Sequence, residues 1–169
     1  MKIINAITNR IKLLIFVSAI IISTAGSAQV MPGGMAPDIA LPTAGGDTIH
    51  LSSLRGKVVL LDFWASWCGP CRAANKGLTK VYSKFRDKGF EIFSVSFDRE
   101  REEWLKAIKK DKISWIQVND NLAFDAPTAS AWNIYALPTS YLINKDGKLV
   151  GMDLEGKDLE KALKDMLDK

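Results

Sequence analysis

An α/β domain with a mixed central sheet flanked by helices is the fold class that this sequence predicts. Three observations predict it. Two apolar runs, Val58 to Trp64 and Phe90 to Phe97, read as central strands covered on both faces. Segments with apolar residues at helical spacing follow each of them. Towards the end, Asn144-Lys145-Asp146-Gly147 between two strand-like stretches signals a hairpin. Strand, helix, strand, helix, then a hairpin and a helix places helices on both faces of one sheet.

The elements follow in order. Asp47 to Leu51 is a short strand after the Gly45-Gly46 turn, and Ser52 to Gly56 turns the chain into Lys57. Val58 to Trp64 is apolar except for Asp62, whose neighbours argue that the carboxyl is buried. Pro70 falls in the first turn of the next helix, where its missing N–H costs nothing. That helix turns Ala74, Leu78, Val81, Tyr82 and Phe85 inward, and Gly89 breaks the chain after it. Glu100 to Lys110 reads as a helix with Trp104, Leu105 and Ile108 inward, Trp115 to Val118 as a short strand, and Thr128 to Trp132 as a short helix. Thr139 to Ile143 and Lys148 to Met152 flank the hairpin turn. The last helix, Lys157 to Leu167, carries Leu159, Ala162, Leu163, Met166 and Leu167 on one side.

Of the 169 residues, the first 28 read as an address rather than as structure. Lys2, Arg10 and Lys12 make a basic start, Leu13 to Ile22 is apolar apart from Ser18, and small residues run from Ser23 to Ala28. These are the three regions of a secretory signal peptide, with cleavage expected after Ala28 and Ala25 as the second site. The competing reading is an uncleaved anchor over residues 13–24, although about ten apolar residues are short for a span of roughly 20. No cysteine follows the apolar stretch, so bacterial lipid attachment there is excluded. Residues 29–35 then read as a flexible lead-in and 36–169 as one domain, large enough for a proper core and expected to be a monomer. The leader holds three of the 23 basic residues and no acidic one, which leaves 20 positive against 19 negative. Nothing basic enough to hold nucleic acid remains. The charge runs Asp98 to Glu103 and Lys109 to Lys112 read as solvated helix faces.

The two cysteines of the chain, Cys68 and Cys71, stand two residues apart at the junction of strand and helix. Unpaired N–H groups at a helix N-terminus stabilise a thiolate, so Cys68 sits where a thiol ionises most easily. Two thiols on one turn can close a small disulfide, and the first can attack the disulfide of another protein. As a structural staple such a bridge closes almost no loop. Zinc wants four ligands, and the single histidine, His50, reads as an exposed strand residue, so no metal and no cofactor is expected. An exported chain whose only cysteines form one such pair has no spare thiol to compete with it.

The stretch Leu61-Asp62-Phe63-Trp64-Ala65-Ser66-Trp67-Cys68-Gly69-Pro70-Cys71 resembles the active-site strand and loop of thioredoxins, and Tyr135-Ala136-Leu137-Pro138-Thr139 resembles their proline loop. The segment from Ala36 to Lys57 and the extra helix and strand at 100–118 resemble the exported thiol–disulfide oxidoreductases of the TlpA and ResA kind. The resemblance implies a thioredoxin fold with an N-terminal β extension and a central helix-strand insertion. It implies Cys68 as nucleophile, Cys71 as resolving cysteine, and Asp62 as the buried acid that moves protons for Cys71. Pro138 is implied to be cis, with Trp67, Gly69, Pro70 and the Leu137 backbone contacting substrate. Trp67 is expected to pack beside Cys68 and shield it. Protein disulfides are the implied substrates, and a membrane electron donor the implied source of reducing equivalents. The implied location is the periplasm, or the inner membrane face if the leader stays attached.

Two departures and two rivals complete the reading. Family members commonly place a glutamate and a proline where Ala74 and Lys76 stand, so the helix is expected to run straighter here and one polar influence near the site is missing. Gly69-Pro70, in place of the Glu-Pro of some maturation proteins, gives no specific indication of a cytochrome c apoprotein as substrate. Gly69-Pro70 between the cysteines is the pair of reducing thioredoxins. A thiol peroxidase of peroxiredoxin type would need proline at 61 and threonine at 65 if Cys68 were peroxidatic; Leu61 and Ala65 stand there. A copper-handling module of related fold uses three residues between its cysteines and a nearby histidine, and the spacing here is different.

Overall fold

In the computed structural model the described residues are 30–168. A two-stranded antiparallel sheet opens it, β1 (Ala40–Pro42) against β2 (Thr48–His50). A 3-10 turn over Leu51–Leu54 leads to β3 (Val58–Trp64), followed by α1 (Gly69–Phe85), β4 (Phe90–Ser96) and α2 (Arg101–Asp111). Then come β5 (Ile116–Asn119), α3 (Pro127–Ala131), β6 (Thr139–Ile143), β7 (Leu149–Met152) and α4 (Gly156–Leu167). The central sheet has the order β5-β4-β3-β6-β7. β3, β4 and β5 run parallel, β6 pairs antiparallel with β3, and β7 pairs antiparallel with β6. The sheet is mixed, as the sequence predicts, and the elements lie within two residues of the expected bounds.

The period of two along β3 sorts its side chains. Val59, Leu61 and Phe63 face a core that includes Ile39, Leu54, Phe97, Trp132 and Tyr141, under the N-terminal extension and α3. Val58 and Leu60 face the other layer, with Val81 and Phe85 of α1 and Leu159 and Leu163 of α4. Asp62 continues that second row, so alternation puts its carboxyl on the α1 and α4 side of the sheet. One residue of slip would send it to the opposite core.

The lead-in does not hang free over residues 30–36. Gly33 N–H donates to Leu149 O at 2.7 Å, Leu149 N–H to Gly34 O at 2.9 Å, and Ala36 N–H to Gly147 O at 2.9 Å. This covers the outer edge of β7, which would otherwise present unpaired main-chain groups. Gly147 holds φ +82° in the hairpin turn, and a Cβ there would meet the Arg55 guanidinium. The leader read over residues 1–28 lies outside the described residues. No helix among the described residues is long and apolar enough to cross a membrane.

Candidate active site around Cys68 and Cys71

The chain leaves the sheet at Trp64, turns through Ala65-Ser66-Trp67, and enters α1 with Cys68 at the N-cap in extended conformation. Pro70 occupies the first turn, and the Cys68 sulfur accepts the Cys71 N–H at 3.2 Å. Cys68 and Cys71 form a disulfide, with Cα atoms 5.3 Å apart. Cys68 is 5% exposed and Cys71 1%, so the first cysteine is the more accessible residue. Their apolar cluster is made by Trp64, Ala65, Trp104 and Ala107, with Leu137 packed against it. Trp67, expected to shield Cys68, has 60% of its surface in solvent. The cover comes instead from Trp104 and Ala107 of α2, which belongs to the inserted helix and strand.

Asp62 is buried six residues before Cys68, with Ser94 of β4 and Ser140 of β6 as its register neighbours. Ser94 Oγ donates to Asp62 Oδ2 at 2.9 Å, and Trp115 Nε1 donates to Ser94 Oγ at 2.8 Å. Burial pushes the Asp62 carboxyl up to about 6, with the Ser94 hydrogen bond pulling the other way. Asp62 also lines a cavity of about 540 Å³ behind α1, with Ala73, Ala74, Gly77, Pro138 and Ser140. Ala74 helps to leave that space open, in the position where the resembled family carries a glutamate.

Leu137–Pro138 is cis, as the resemblance implies, and Leu137 is only half-buried. Outside the strands, the Leu137 backbone bonds to no other main-chain group among the described residues. Gly69 and Pro70 are exposed at the start of α1. His50 is exposed as expected, and its Nδ1 lies 2.9 Å from Asp38 Oδ2.

Two carboxylates that the sequence leaves in solvated runs belong to the site, Asp98 buried and Asp111 half-buried. Asp98 accepts Ser66 N–H at 2.8 Å, Ser66 Oγ at 2.6 Å and Ser96 Oγ at 2.7 Å, so it holds the turn before Cys68. Asp111, the last residue of α2, takes the Arg72 guanidinium through Nε and Nη2 and the Asn75 amide at 3.2 Å. Burial would raise the Asp111 carboxyl, but Arg72 and Asn75 outweigh it and hold it below the usual range. Arg72 Nη1 then reaches Ser66 O at 3.1 Å, closing a brace between α2, α1 and the cysteine loop. Arg72 is therefore paired, where the sequence left it open between biasing the thiolate and standing in water. Asp98 follows a strand and Asp111 stands inside a lysine run, and no local pattern separates either from a surface acid.

The AhpC/TSA family model matches residues 32–152. The thiol–disulfide oxidoreductase ResA of Bacillus subtilis is 32% identical over 126 residues, covering 75% of this chain and 69% of that protein. Its namesake in Geobacillus kaustophilus is 31% identical over 120 residues, covering 71% of this chain and 67% of that protein. Among solved structures, the thioredoxin domain of a thiol–disulfide oxidoreductase from Bacteroides vulgatus superposes with a TM-score of 0.77 at 35% identity, covering 82% of this chain and 99% of that one. A thiol–disulfide oxidoreductase from Bacteroides fragilis gives 0.74 at 38% identity, covering 79% and 99%.

Proposed function

The chain belongs to the AhpC/TSA family and within it is a thiol–disulfide oxidoreductase of the ResA kind; on that premise we propose that it is an exported reductase of protein disulfides. The observation that carries the reading is the Cys68–Cys71 pair at the N-terminus of α1, with a buried carboxyl of raised pKa on the strand that feeds it. In the reduced protein the Cys68 thiolate, stabilised by the Cys71 N–H and the helix end, attacks one sulfur of a substrate disulfide. The other substrate sulfur leaves as a thiolate, and a mixed disulfide joins Cys68 to the substrate. Asp62 takes the Cys71 proton, the Cys71 thiolate attacks Cys68 Sγ, and the second substrate sulfur leaves and is protonated. Two electrons pass to the substrate, and the Cys68–Cys71 disulfide remains. A membrane electron donor returns the pair to the dithiol.

Substrate is held beside the disulfide by Trp67, Gly69, Pro70 and the Leu137 backbone, whose main-chain groups are available to an extended strand. Export rests on the leader read in residues 1–28. Peroxidase chemistry is disfavoured because Leu61 and Ala65, both buried and apolar, stand where the peroxidatic motif needs proline and threonine. The test is trapping. Reduced Cys71→Ser protein, added to oxidised exported proteins, accumulates mixed disulfides that survive non-reducing electrophoresis, and Cys68→Ser traps almost none. Equal trapping by the two variants, or none by either, would overturn the assignment.

A further inference from the structure

The exposed aromatic side chains among the described residues are Trp67, Phe124 and Tyr135, at 60%, 44% and 84%. They gather in one place. Trp67 and Phe124 line an open recess of about 850 Å³ floored by Phe97, whose ring meets that of Phe124 edge-on at 5.4 Å. Phe124 and Tyr135 line the adjoining recess of about 260 Å³, with Ala129 and Ile134. The result is an apolar crescent that begins at the residue before Cys68 and runs along the segment between β5 and β6. Exposed aromatic surface gathered in one patch is rarely left in water without a partner, and here it reaches Trp67, the residue before Cys68.

The rim of the larger recess has a sign. Asp98, Glu100, Glu103 and Asp125 line it against a single cation, Arg99. Asp125 holds Arg99 at 2.9 Å and Asp98 is consumed by Ser66 and Ser96, while Glu103 meets only the exposed Lys106 at 3.2 Å. Glu100 makes no ion pair among the described residues. Glu100 and Glu103 open the inserted helix α2, so the insertion both covers the cysteines and charges the approach to them.

We infer that the crescent docks the segment flanking the reactive cysteine of a disulfide-bearing polypeptide, and selects an aromatic or large aliphatic side chain next to a lysine or arginine. The inference rests on the reductase reading above and narrows its substrate class. The ring fills the recess under Trp67 and Phe124, and the cation meets Glu100 and Glu103. Complementary charge at such a rim acts chiefly on encounter rate and is weakened by salt.

The experiment compares two disulfide peptides that differ only beside the cysteine, Lys-Phe in one and Glu-Phe in the other. Each is reduced in a single turnover by the dithiol form of the full chain. Rates are taken relative to reduction of hydroxyethyl disulfide by the same protein, which corrects for changes at the cysteines themselves. The Lys-Phe peptide is expected to react about tenfold faster at low ionic strength, with the ratio shrinking as salt is added. The double variant Glu100→Lys, Glu103→Lys should invert the ratio. Phe124→Ser should slow both peptides severalfold and leave their ratio intact. Equal rates, a preference that survives charge reversal, or a dimer whose formation blocks the peptides would overturn the docking assignment. If hydroxyethyl disulfide is not reduced either, the reductase reading falls with it.

Discussion

Asp62, inside β3, and Asp98, two residues past the end of the adjacent parallel strand β4, are both buried carboxyls, yet their surroundings differ by the number of donors aimed at them. Asp98 takes three, from Ser66 N–H, Ser66 Oγ and Ser96 Oγ. Asp62 takes one, from Ser94, and faces a cavity rather than a loop. A carboxylate that replaces its lost water with three hydrogen bonds serves as a fastener. With one hydrogen bond, burial wins and the proton is held more tightly, so Asp62 can accept and release a proton near neutral pH. The same residue type, buried in both places, is a fastener in one and, on the proposed mechanism, a proton acceptor in the other.

The hardest blow to the comparison comes from Asp98→Ala. Removing the acceptor leaves a backbone N–H and two hydroxyl protons without the oxygen they donate to, at about 1–3 kcal/mol for each one left buried. Partial solvation at Ser66 reduces the sum, and a loss of about 4 kcal/mol in urea unfolding is expected. Asp98→Asn, which keeps an acceptor oxygen, should lose about half as much. A loss under about 1 kcal/mol would mean that the turn before Cys68 is held by its apolar contacts alone.

Asp62→Asn should act in the opposite sense. The folded carboxyl titrates at about 6 and the unfolded one near about 3.9, so the folded state keeps its proton where the unfolded chain has lost it. Stability conferred by that proton is whole below the unfolded value and drains away as pH rises through the folded one. Above that window the wild-type chain carries a penalty of about 3 kcal/mol, from a shift of about two units. The variant is therefore expected to be more stable by up to that amount at pH 8 and no more stable at pH 4, in melts of the oxidised protein. Release of substrate by Cys71 should slow by about tenfold to a hundredfold at the same time. A variant that is less stable at pH 8, or as fast as wild type, would remove Asp62 from the proton path.

How far the sequence carries this contrast depends on the reach of each interaction. The cysteine pair, Pro70, the strand around Asp62 and the Asn-Lys-Asp-Gly turn are local patterns, and each lies where the sequence places it. The burial of Asp62 was legible for the same reason, since its neighbours on the strand are apolar. Asp98 and Asp111 were not, because the partners that explain them are 32 and 39 residues away. Both stand among charges that look solvated until the chain folds back. The pairing of the lead-in is silent in the sequence on different grounds: its glycines pair through main-chain groups, and no side-chain pattern announces that. Trp67 stands 60% exposed, and adjacency to Cys68 does not foretell how much of a ring the fold covers.

Ser94→Ala gives the smallest effect and the finest test, since it leaves Asp62 in place and removes the one donor that separates it from an unpaired acid. Ser94 favours the charged carboxylate, so its loss should raise the folded pKa of Asp62 further above about 6. An upward move of about one unit corresponds to about 1.4 kcal/mol. That cost falls only where wild-type Asp62 is ionised. At pH 8 the variant should be less stable by about that amount plus the lost acceptor of Trp115, whereas at pH 5 only the Trp115 share, about 1 kcal/mol, should remain. The pH profile for release of a trapped substrate should move up by about one unit and reach the wild-type rate at its alkaline limit. A purely structural serine would lower stability equally at both pH values and leave the profile where it was. That outcome would place the tuning of Asp62 in the cavity behind α1 and not in the hydrogen bond from β4.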